Sequence, residues 1–128
     1  KREMRVVADS KPDSRIDAVE RLVERIHTDP GRKWSVAELA AEAGMPPRTL
    51  SRVFRREYGM GPMDLVIQNR MDLASHLLIT TDDTVEMIAH KLNYKSVYSF
   101  SGLFKRHLGI RPGEFRKRCR KEKHQESI

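Results

Sequence analysis

The chain has 128 residues, of which 38% are hydrophobic and 34% are charged, with a net charge of +7 and an isoelectric point of about 9.9. This length is enough for one modest domain or two small ones, and the composition excludes a disordered chain. The basic balance is typical of proteins that bind polyanions, although a merely solubilising surface explains the charge equally well.

The N-terminal segment, residues 1–14, is polar, contains Pro12 and has no sustained hydrophobic period. It predicts a linker or an arm, and a basic arm that touches phosphates is the alternative. Because the chain begins with Lys1 rather than Met, we expect it to be a piece of a longer protein.

Residues 15–28 carry an apolar stripe at helical spacing, formed by Ile16, Val19, Leu22, Val23 and Ile26. The spacing predicts an amphipathic helix, capped by Asp13 or Ser14, that ends at the turn sequence of residues 29–31. We expect this helix to pack against the helices that follow it, with Trp34 as an anchor of the same core.

A helix-turn-helix is predicted between Ser35 and Tyr58. Ser35 and Glu38 form a capping box at the start of a short helix. Gly44 supplies the turn, because glycine adopts a positive φ at little cost. Pro47 suits the first position of the second helix, where its missing N–H is not needed.

The second helix of this motif has an apolar face and a basic face. The inward side chains are Leu50, Val53 and Phe54, and the outward ones are Arg48, Thr49, Ser51, Arg52, Arg55 and Arg56. A recognition helix enters the major groove by its N-terminus, so Arg48, Ser51 and Arg52 are predicted to reach base edges. Arg55 and Arg56, one turn later, are predicted to contact phosphates. A solvated basic face is the alternative, which the preceding helix and turn make the weaker interpretation.

Residues 62–79 predict a linker helix with a long apolar stripe, formed by Met63, Val66, Ile67, Met71, Ala74, Leu77 and Leu78. About 17 residues of helix span roughly 25 Å. A connector of that length could hold two recognition helices about one DNA turn apart, roughly 34 Å.

A second helix-turn-helix follows the linker helix. Residues 84–92 predict a short helix capped by Asp83 or Thr84, and residues 93–95 predict a turn. The next helix is predicted to start at Ser96 and to stop at Gly109. Its apolar face carries Phe100, Leu103, Phe104 and Leu108.

The C-terminal segment predicts a short last helix that starts at Pro112 and bears Phe115. Beyond it we predict a frayed tail, whose basic residues could attract phosphates non-specifically. These residues are Arg116, Lys117, Arg118, Arg120 and Lys121. A solvated tail is an equal alternative.

The two motifs align as an internal repeat. Leu39 falls on Ile88 before the turn, and Phe54 falls on Phe104 after it. The separation of equivalent positions grows by one across the turn, so the second turn has one extra residue. An apolar stripe, a stop glycine and a following proline recur together, which predicts that each copy folds as its own helix-turn-helix.

The sequence offers no site for catalysis. The histidines do not pair with Cys119 or a carboxylate at a metal-ligand spacing; they are His27, His76, His90, His107 and His124. No glycine-rich phosphate loop is present, and Asp82 with Asp83 is more simply a cap and dipole partner than an acid pair. We predict no enzyme, no catalytic residue, no metal and no cofactor.

The composition also bears on compartment. Cys119 is the single cysteine, which excludes an internal disulfide and favours a reducing compartment. No apolar run approaches the ~18 residues that a membrane span needs. We therefore expect a cytoplasmic protein without a membrane partner.

The second copy resembles the signature of AraC/XylS-type bacterial transcription regulators, I-A-x-x-x-x-[FY]-x-S, then F-x-x-x-F-K-[KR], then G-x-x-P-x-x-[FY]-R. The pattern is carried by Ile88, Ala89, Tyr94, Ser96, Phe100, Phe104, Lys105, Arg106, Gly109, Pro112, Phe115 and Arg116. The first copy is similar at Leu39, Ala40, Gly44, Leu50, Arg52, Phe54 and Gly59. Residues 70–78 match the start of the family's linker-helix segment, and the resemblance covers residues 16–116.

The resemblance implies seven helices in two subdomains joined by a linker helix, with each recognition helix in one of two successive major grooves. The base-reading positions of the family fall on Arg48, Ser51, Arg52, Val97, Tyr98, Ser101 and Gly102. The expected phosphate contacts are Thr49, Arg55, Arg56, Ser96, Ser99, Lys105 and Arg106.

The second copy departs from the family pattern at its base-reading positions. Gly102 stands where the family usually has an arginine, and Val97 stands where it often has a polar residue. We infer that the first motif carries most base specificity. The second would contribute phosphate contacts, shape readout and apolar contacts to thymine methyls from Val97 or Tyr98.

The turn and the caps also depart from the family pattern. Asn93 replaces the usual turn glycine and tolerates positive φ. Pro46 and Arg111 replace serine caps, each at a cost on the order of 1 kcal/mol. We expect the turn itself to survive these changes.

We therefore predict an all-α, double helix-turn-helix protein that binds double-stranded promoter or operator DNA. Its divisions are residues 1–14 (arm), 15–61 (first subdomain), 62–79 (linker helix), 80–118 (second subdomain) and 119–128 (flexible tail). The preferred interpretation is the C-terminal domain of a ligand-responsive regulator, associated with the nucleoid and in contact with RNA polymerase. Dimerisation or effector binding is expected in an N-terminal domain. A stand-alone monomeric activator and a basic helical protein-interaction module are the alternatives.

Overall fold

The structure, a computed structural model, describes residues 11–126, with side chains described for residues 14–122. Regular structure in this part is entirely α-helical. Its seven helices are α1 (Lys11–Thr28), α2 (Val36–Ala43), α3 (Pro47–Tyr58), α4 (Pro62–Thr80), α5 (Val85–Lys91), α6 (Val97–Leu108) and α7 (Pro112–Glu126). The predicted seven-helix, all-α fold is confirmed. Residues 1–10 of the predicted arm and residues 127–128 of the predicted tail lie outside the described residues.

Helix α1 begins earlier than the sequence pattern predicts. It starts at Lys11 rather than at residue 15, so the prediction of a linker is wrong for residues 11–14. Pro12 is compatible with this start, because the first turn of a helix leaves its N–H groups without intrahelical partners.

The turns and caps follow the predicted chemistry. The Ser35 hydroxyl accepts a hydrogen bond from the Glu38 N–H at 3.1 Å, and Thr84 caps α5 in the same way through the Met87 N–H. Gly44 ends α2 with φ of 69°. Asn93 adopts the same φ of 69° in the second turn, so asparagine replaces glycine there without loss of the left-handed turn.

The chain divides into two compact units. Unit 1 comprises Trp34–Val66 together with the described residues up to Asp29. In it α1, α2 and α3 pack around an apolar core whose largest members are Leu22, Ile26, Trp34, Leu39, Leu50 and Phe54. Trp34 is 5% exposed and donates from Nε1 to the Asp29 carbonyl at 3.0 Å, which confirms its role as a core anchor.

Unit 2 comprises Pro30–Lys33 and the described residues from Ile67 onward. Its core is built from Met71, Leu78, Ile88, Leu92, Phe100 and Phe104. Phe115 of α7 meets Phe104 edge to face, with ring centroids 5.4 Å apart. The predicted boundaries place residues 30–33 in the first subdomain, whereas their contacts group them with unit 2.

Helix α7 is longer than predicted. It continues to Glu126, so the prediction of a short last helix is wrong; that residues 119–128 form a flexible tail stays a prediction. Arg116 donates to the carbonyls of Leu78 at 2.9 Å and Thr81 at 3.0 Å, and Arg120 donates to Thr81 at 2.8 Å. These bonds satisfy carbonyls at the C-terminal end of α4. The two arginines therefore bond α7 to the C-terminal end of α4.

None of the helices in the described part of the chain combines the length and hydrophobicity that crossing a bilayer requires.

Candidate nucleic-acid interface

Helix α3 separates its predicted site residues from the core. Leu50, Val53 and Phe54 are fully buried, as predicted. On the opposite side Arg48, Arg52, Arg55 and Arg56 are exposed, and Thr49 and Ser51 are half-buried. The structure thus brings the predicted base-reading residues of the first motif, Arg48, Ser51 and Arg52, to the solvent side of one helix. We call them the first reading surface.

The cations of α3 are largely free to bind an anion. Within the described part of the chain, no hydrogen bond or ion pair engages the side chains of Arg48, Arg52 and Arg55. Arg56 lies 3.4 Å from the Glu57 carboxylate, and its side chain is 57% exposed. A pair so exposed is weak in water and competes poorly with a phosphate.

The start of α3 is uncapped by any side chain. Pro46 makes no side-chain hydrogen bond to the first turn, as its replacement of a serine predicts. Pro47 follows at the first helical position, where its ring favours the helical φ. The N-terminal turn of α3 therefore depends on proline geometry rather than on a hydroxyl cap.

Helix α6 presents a different set of side chains at the equivalent positions. Tyr98 is 87% exposed, whereas Val97, Ser101 and Gly102 are half-buried. A Cβ added at Gly102 would meet no heavy atom within 4 Å, so the surface is open there. We call Val97, Tyr98, Ser101 and Gly102 the second reading surface; it carries no charge.

The predicted phosphate-contacting residues of α6 lie at both ends of the helix. Ser96 is the N-cap, and its hydroxyl accepts from the N–H groups of Tyr98 at 3.1 Å and Ser99 at 3.4 Å. Its own proton remains available to donate. Ser99 is exposed near the start of the helix, and Lys105 and Arg106 are exposed in its last turn. That these residues contact phosphates stays a prediction.

Sequence reasoning missed one group of residues beside the second motif. Arg70, a charge within the apolar stripe of α4, is 6% exposed and donates to the carbonyls of Pro30 and Arg32. These bonds hold residues 30–33 in unit 2, and Lys33 thereby lies next to the second turn. The one sequence signal was the position of Arg70 within an apolar helical stripe, because a charged side chain there is buried and needs hydrogen-bond partners.

No feature of a catalytic or metal centre accompanies these surfaces. Among the described side chains, no group of three histidine, cysteine or carboxylate residues could hold a metal ion.

Comparisons with known proteins agree with this arrangement. A family model described as a helix-turn-helix domain matches residues 39–118. An AraC-like transcription regulator of Streptomyces lividans is 39% identical over 92 residues, covering 72% of this chain and 30% of that protein. The chain thus spans less than a third of that relative and 35% of another, the YidL regulator of Escherichia coli.

Solved structures agree with the fold. The DNA-binding domain of AdpA, a global transcriptional factor solved in complex with a target DNA, is 32% identical, with a TM-score of 0.73 over 91% of this chain and 99% of that one. The C-terminal domain of AraT, a response regulator from Geobacillus stearothermophilus, is 27% identical, with a TM-score of 0.74 over 78% and 84% of the two chains. The family consists of transcription regulators rather than enzymes. This chain is an AraC-type helix-turn-helix domain, a member of the DNA-binding domains of bacterial transcription regulators.

Proposed function

We propose that this chain binds double-stranded DNA in a sequence-specific manner, with α3 and α6 in successive major grooves. The observation that carries the proposal is the row of exposed arginines on α3, Arg48, Arg52 and Arg55, none of whose guanidinium groups forms an ion pair with a described residue. Arginine reads guanine through paired hydrogen bonds to O6 and N7, and it pairs equally well with phosphate. The AdpA domain, solved on its target DNA, is a precedent at 32% identity.

The two motifs are proposed to contribute unequally to base recognition. Arg48 and Arg52 of the first reading surface can discriminate guanine, whereas the second reading surface has no charged side chain at either equivalent position. Tyr98, which is 87% exposed, offers an aromatic ring to the groove, and Val97 offers methyl groups. Such groups contact the thymine methyl, so the second half-site is proposed to contain thymine at the contacted positions.

Backbone contacts are proposed to flank both half-sites. In the first they come from Thr49, Arg55 and Arg56, and in the second from Ser96, Ser99, Lys105 and Arg106. Contacts of this kind fix the register of a protein on DNA without reading sequence. They also make the affinity fall with added salt.

For the whole regulator we propose a role in controlling transcription on the bacterial nucleoid, in the cytoplasm, through contact with RNA polymerase. The chain covers 30% of the Streptomyces lividans relative, so effector binding and dimerisation are proposed for protein segments outside the matched part. The names of the relatives support regulation of transcription and nothing finer.

The experiment that tests the proposal is selection of bound sequences from a random duplex pool at about 150 mM salt, near physiological ionic strength. We expect an enriched, asymmetric motif of two blocks about ten base pairs apart. Guanine is expected in the first block and thymine in the second.

The matched control in this selection is an Arg48→Ala, Arg52→Ala double variant, which should lose the first block and keep the second. Enrichment of a single block by the wild-type protein would contradict the proposed base reading by α6. No enrichment at all would overturn DNA recognition and favour a basic protein-interaction module.

A further inference from the structure

A concavity of about 360 Å³ lies on unit 2 beside the turn between α5 and α6. It is lined by Lys33, His90, Asn93, Tyr94 and Lys95. Lys33 and Lys95 are exposed, and neither takes part in a hydrogen bond or an ion pair with any described residue. Two cationic side chains therefore border one concavity that contains no carboxylate.

Lys33 reaches this place because Arg70 holds its segment. The Arg70 guanidinium donates from Nε to the Pro30 carbonyl at 2.9 Å and from Nη2 to the Arg32 carbonyl at 2.8 Å. It also lies 5.2 Å from the centroid of the Tyr94 ring. A planar guanidinium with two bonds to neighbouring carbonyls fixes both the position and the direction of the segment.

A second anchor lies next to Lys33 in the same segment. The side-chain amide of Asn93 donates to the Gly31 carbonyl. A Cβ added at Gly31 would lie 3.1 Å from the Lys91 carbonyl oxygen, so the segment packs directly against the end of α5. The two anchors make Lys33 part of the second motif, although it lies between α1 and α2 in sequence.

The concavity lies beside the N-terminal end of α6. Lys95 directly precedes Ser96, the N-cap of α6. A recognition helix enters the major groove by its N-terminus, and the groove is bordered by phosphates on both sides. Tyr94 also lines the concavity, but its hydroxyl is buried and is not accessible to a ligand there. Two ammonium groups together suit a phosphodiester oxygen.

We propose that Lys33 and Lys95 together bind a DNA phosphate beside the half-site that α6 reads. The proposal rests on the proposed function, because its ligand is the same duplex. It adds a residue from outside the helix-turn-helix to the second interface, where Gly102 offers no side chain to the DNA. The chain would thus hold its weaker reading helix on DNA by a backbone contact from the connection between α1 and α2.

The first measurement is the salt dependence of duplex affinity for Lys33→Gln and Lys95→Gln. Each lost phosphate contact lowers the slope of log K against log salt by about 0.9, so either variant should reduce it by up to that amount. Both should weaken selected and mismatched duplexes by the same factor. The matched control is Lys91→Gln, because Lys91 is already paired with Asp83 at 2.5 Å and should leave the slope unchanged.

The second measurement locates the contact by replacing single phosphates of the bound duplex with uncharged methylphosphonates. We expect one position beside the second block to weaken the wild-type protein, to weaken Lys33→Gln less because only the Lys95 contact remains there, and to have no further effect on the Lys33→Gln, Lys95→Gln double variant, since a contact cannot be lost twice. An unchanged slope in Lys33→Gln, or losses that add at every phosphate, would overturn the proposal. Because slopes can be measured on unselected duplexes, this failure is distinct from a lack of sequence preference, which would overturn the proposed function.

Discussion

Gly102 of α6 occupies the position that Arg52 occupies in α3. The two helices have 12 residues each, start at Pro47 and Val97, and end before Gly59 and Gly109, so the two positions are equivalent. At one of them a guanidinium extends into solvent, and at the other the surface is open for at least 4 Å around an added Cβ. The two copies of one motif therefore differ at a position that we propose to read a base.

Gly102→Arg is expected to add guanine discrimination to the second half-site, because the side chain has room and lies one turn into the helix. It should also raise the free energy of unfolding by about 0.5–1 kcal/mol, since glycine is unfavourable in a helix interior. Selection from a random pool and urea unfolding measure the two effects. Gly102→Ala is the control, with the same gain in stability and no new base preference. A new preference in the alanine variant would contradict this account.

Arg52→Ala is expected to relax selection at one base pair of the first half-site, by about 1–3 kcal/mol of discrimination. Affinities for the selected duplex and for one with that base pair changed should converge in the variant. Arg56→Ala is the matched control, because a phosphate contact weakens both duplexes equally. If Arg52→Ala also lowered both affinities by one factor, Arg52 would be a backbone contact.

Asn93→Ala is expected to destabilise the protein more than Asn93→Gly. Both variants lose the hydrogen bond to the Gly31 carbonyl, but only alanine meets the strain of φ at 69°. That strain amounts to about 1–2 kcal/mol for a residue with a Cβ. Urea denaturation of both variants measures the difference, and equal stabilities would show that the left-handed turn imposes no cost.

Arg116→Ala is expected to lower the free energy of unfolding by roughly 1.5–3 kcal/mol, because the Leu78 carbonyl loses its charged donor and the Thr81 carbonyl keeps only its bond from Arg120. Arg118→Ala is the control on the same helix, since its pairing with Glu114 at 3.4 Å is exposed and weak. The comparison is made by chemical denaturation. Equal losses in the two variants would mean that the arginine bonds of α7 do not stabilise unit 2.

The elements that sequence reasoning placed correctly depend on interactions within a few residues. The cap of Ser35 on Glu38 spans three residues, and the stop at Gly44 depends on one residue's φ. The apolar stripes of α3 and α6 follow from helical spacing alone. For that reason the amino-acid order is enough to predict the two motifs, their reading faces and their relation as a repeat.

The elements that sequence reasoning misplaced depend on residues that are far apart in the chain. Arg70 bonds to a carbonyl 40 residues away, and Arg116 to one 38 residues away. No local pattern encodes such a pair. A basic residue is predicted to be solvent-exposed unless its buried partner is known.

Local sequence thus encodes two helix-turn-helix motifs, their exposed side chains and the contrast between Arg52 and Gly102. Long-range packing sets the bonds of Arg116 and Arg120 in α7 and the place of Lys33 beside the second turn. Both of these features involve arginines that bond to distant carbonyls. A guanidinium can donate to any carbonyls that the fold places near it. Which carbonyls these are is set by tertiary packing rather than by sequence spacing.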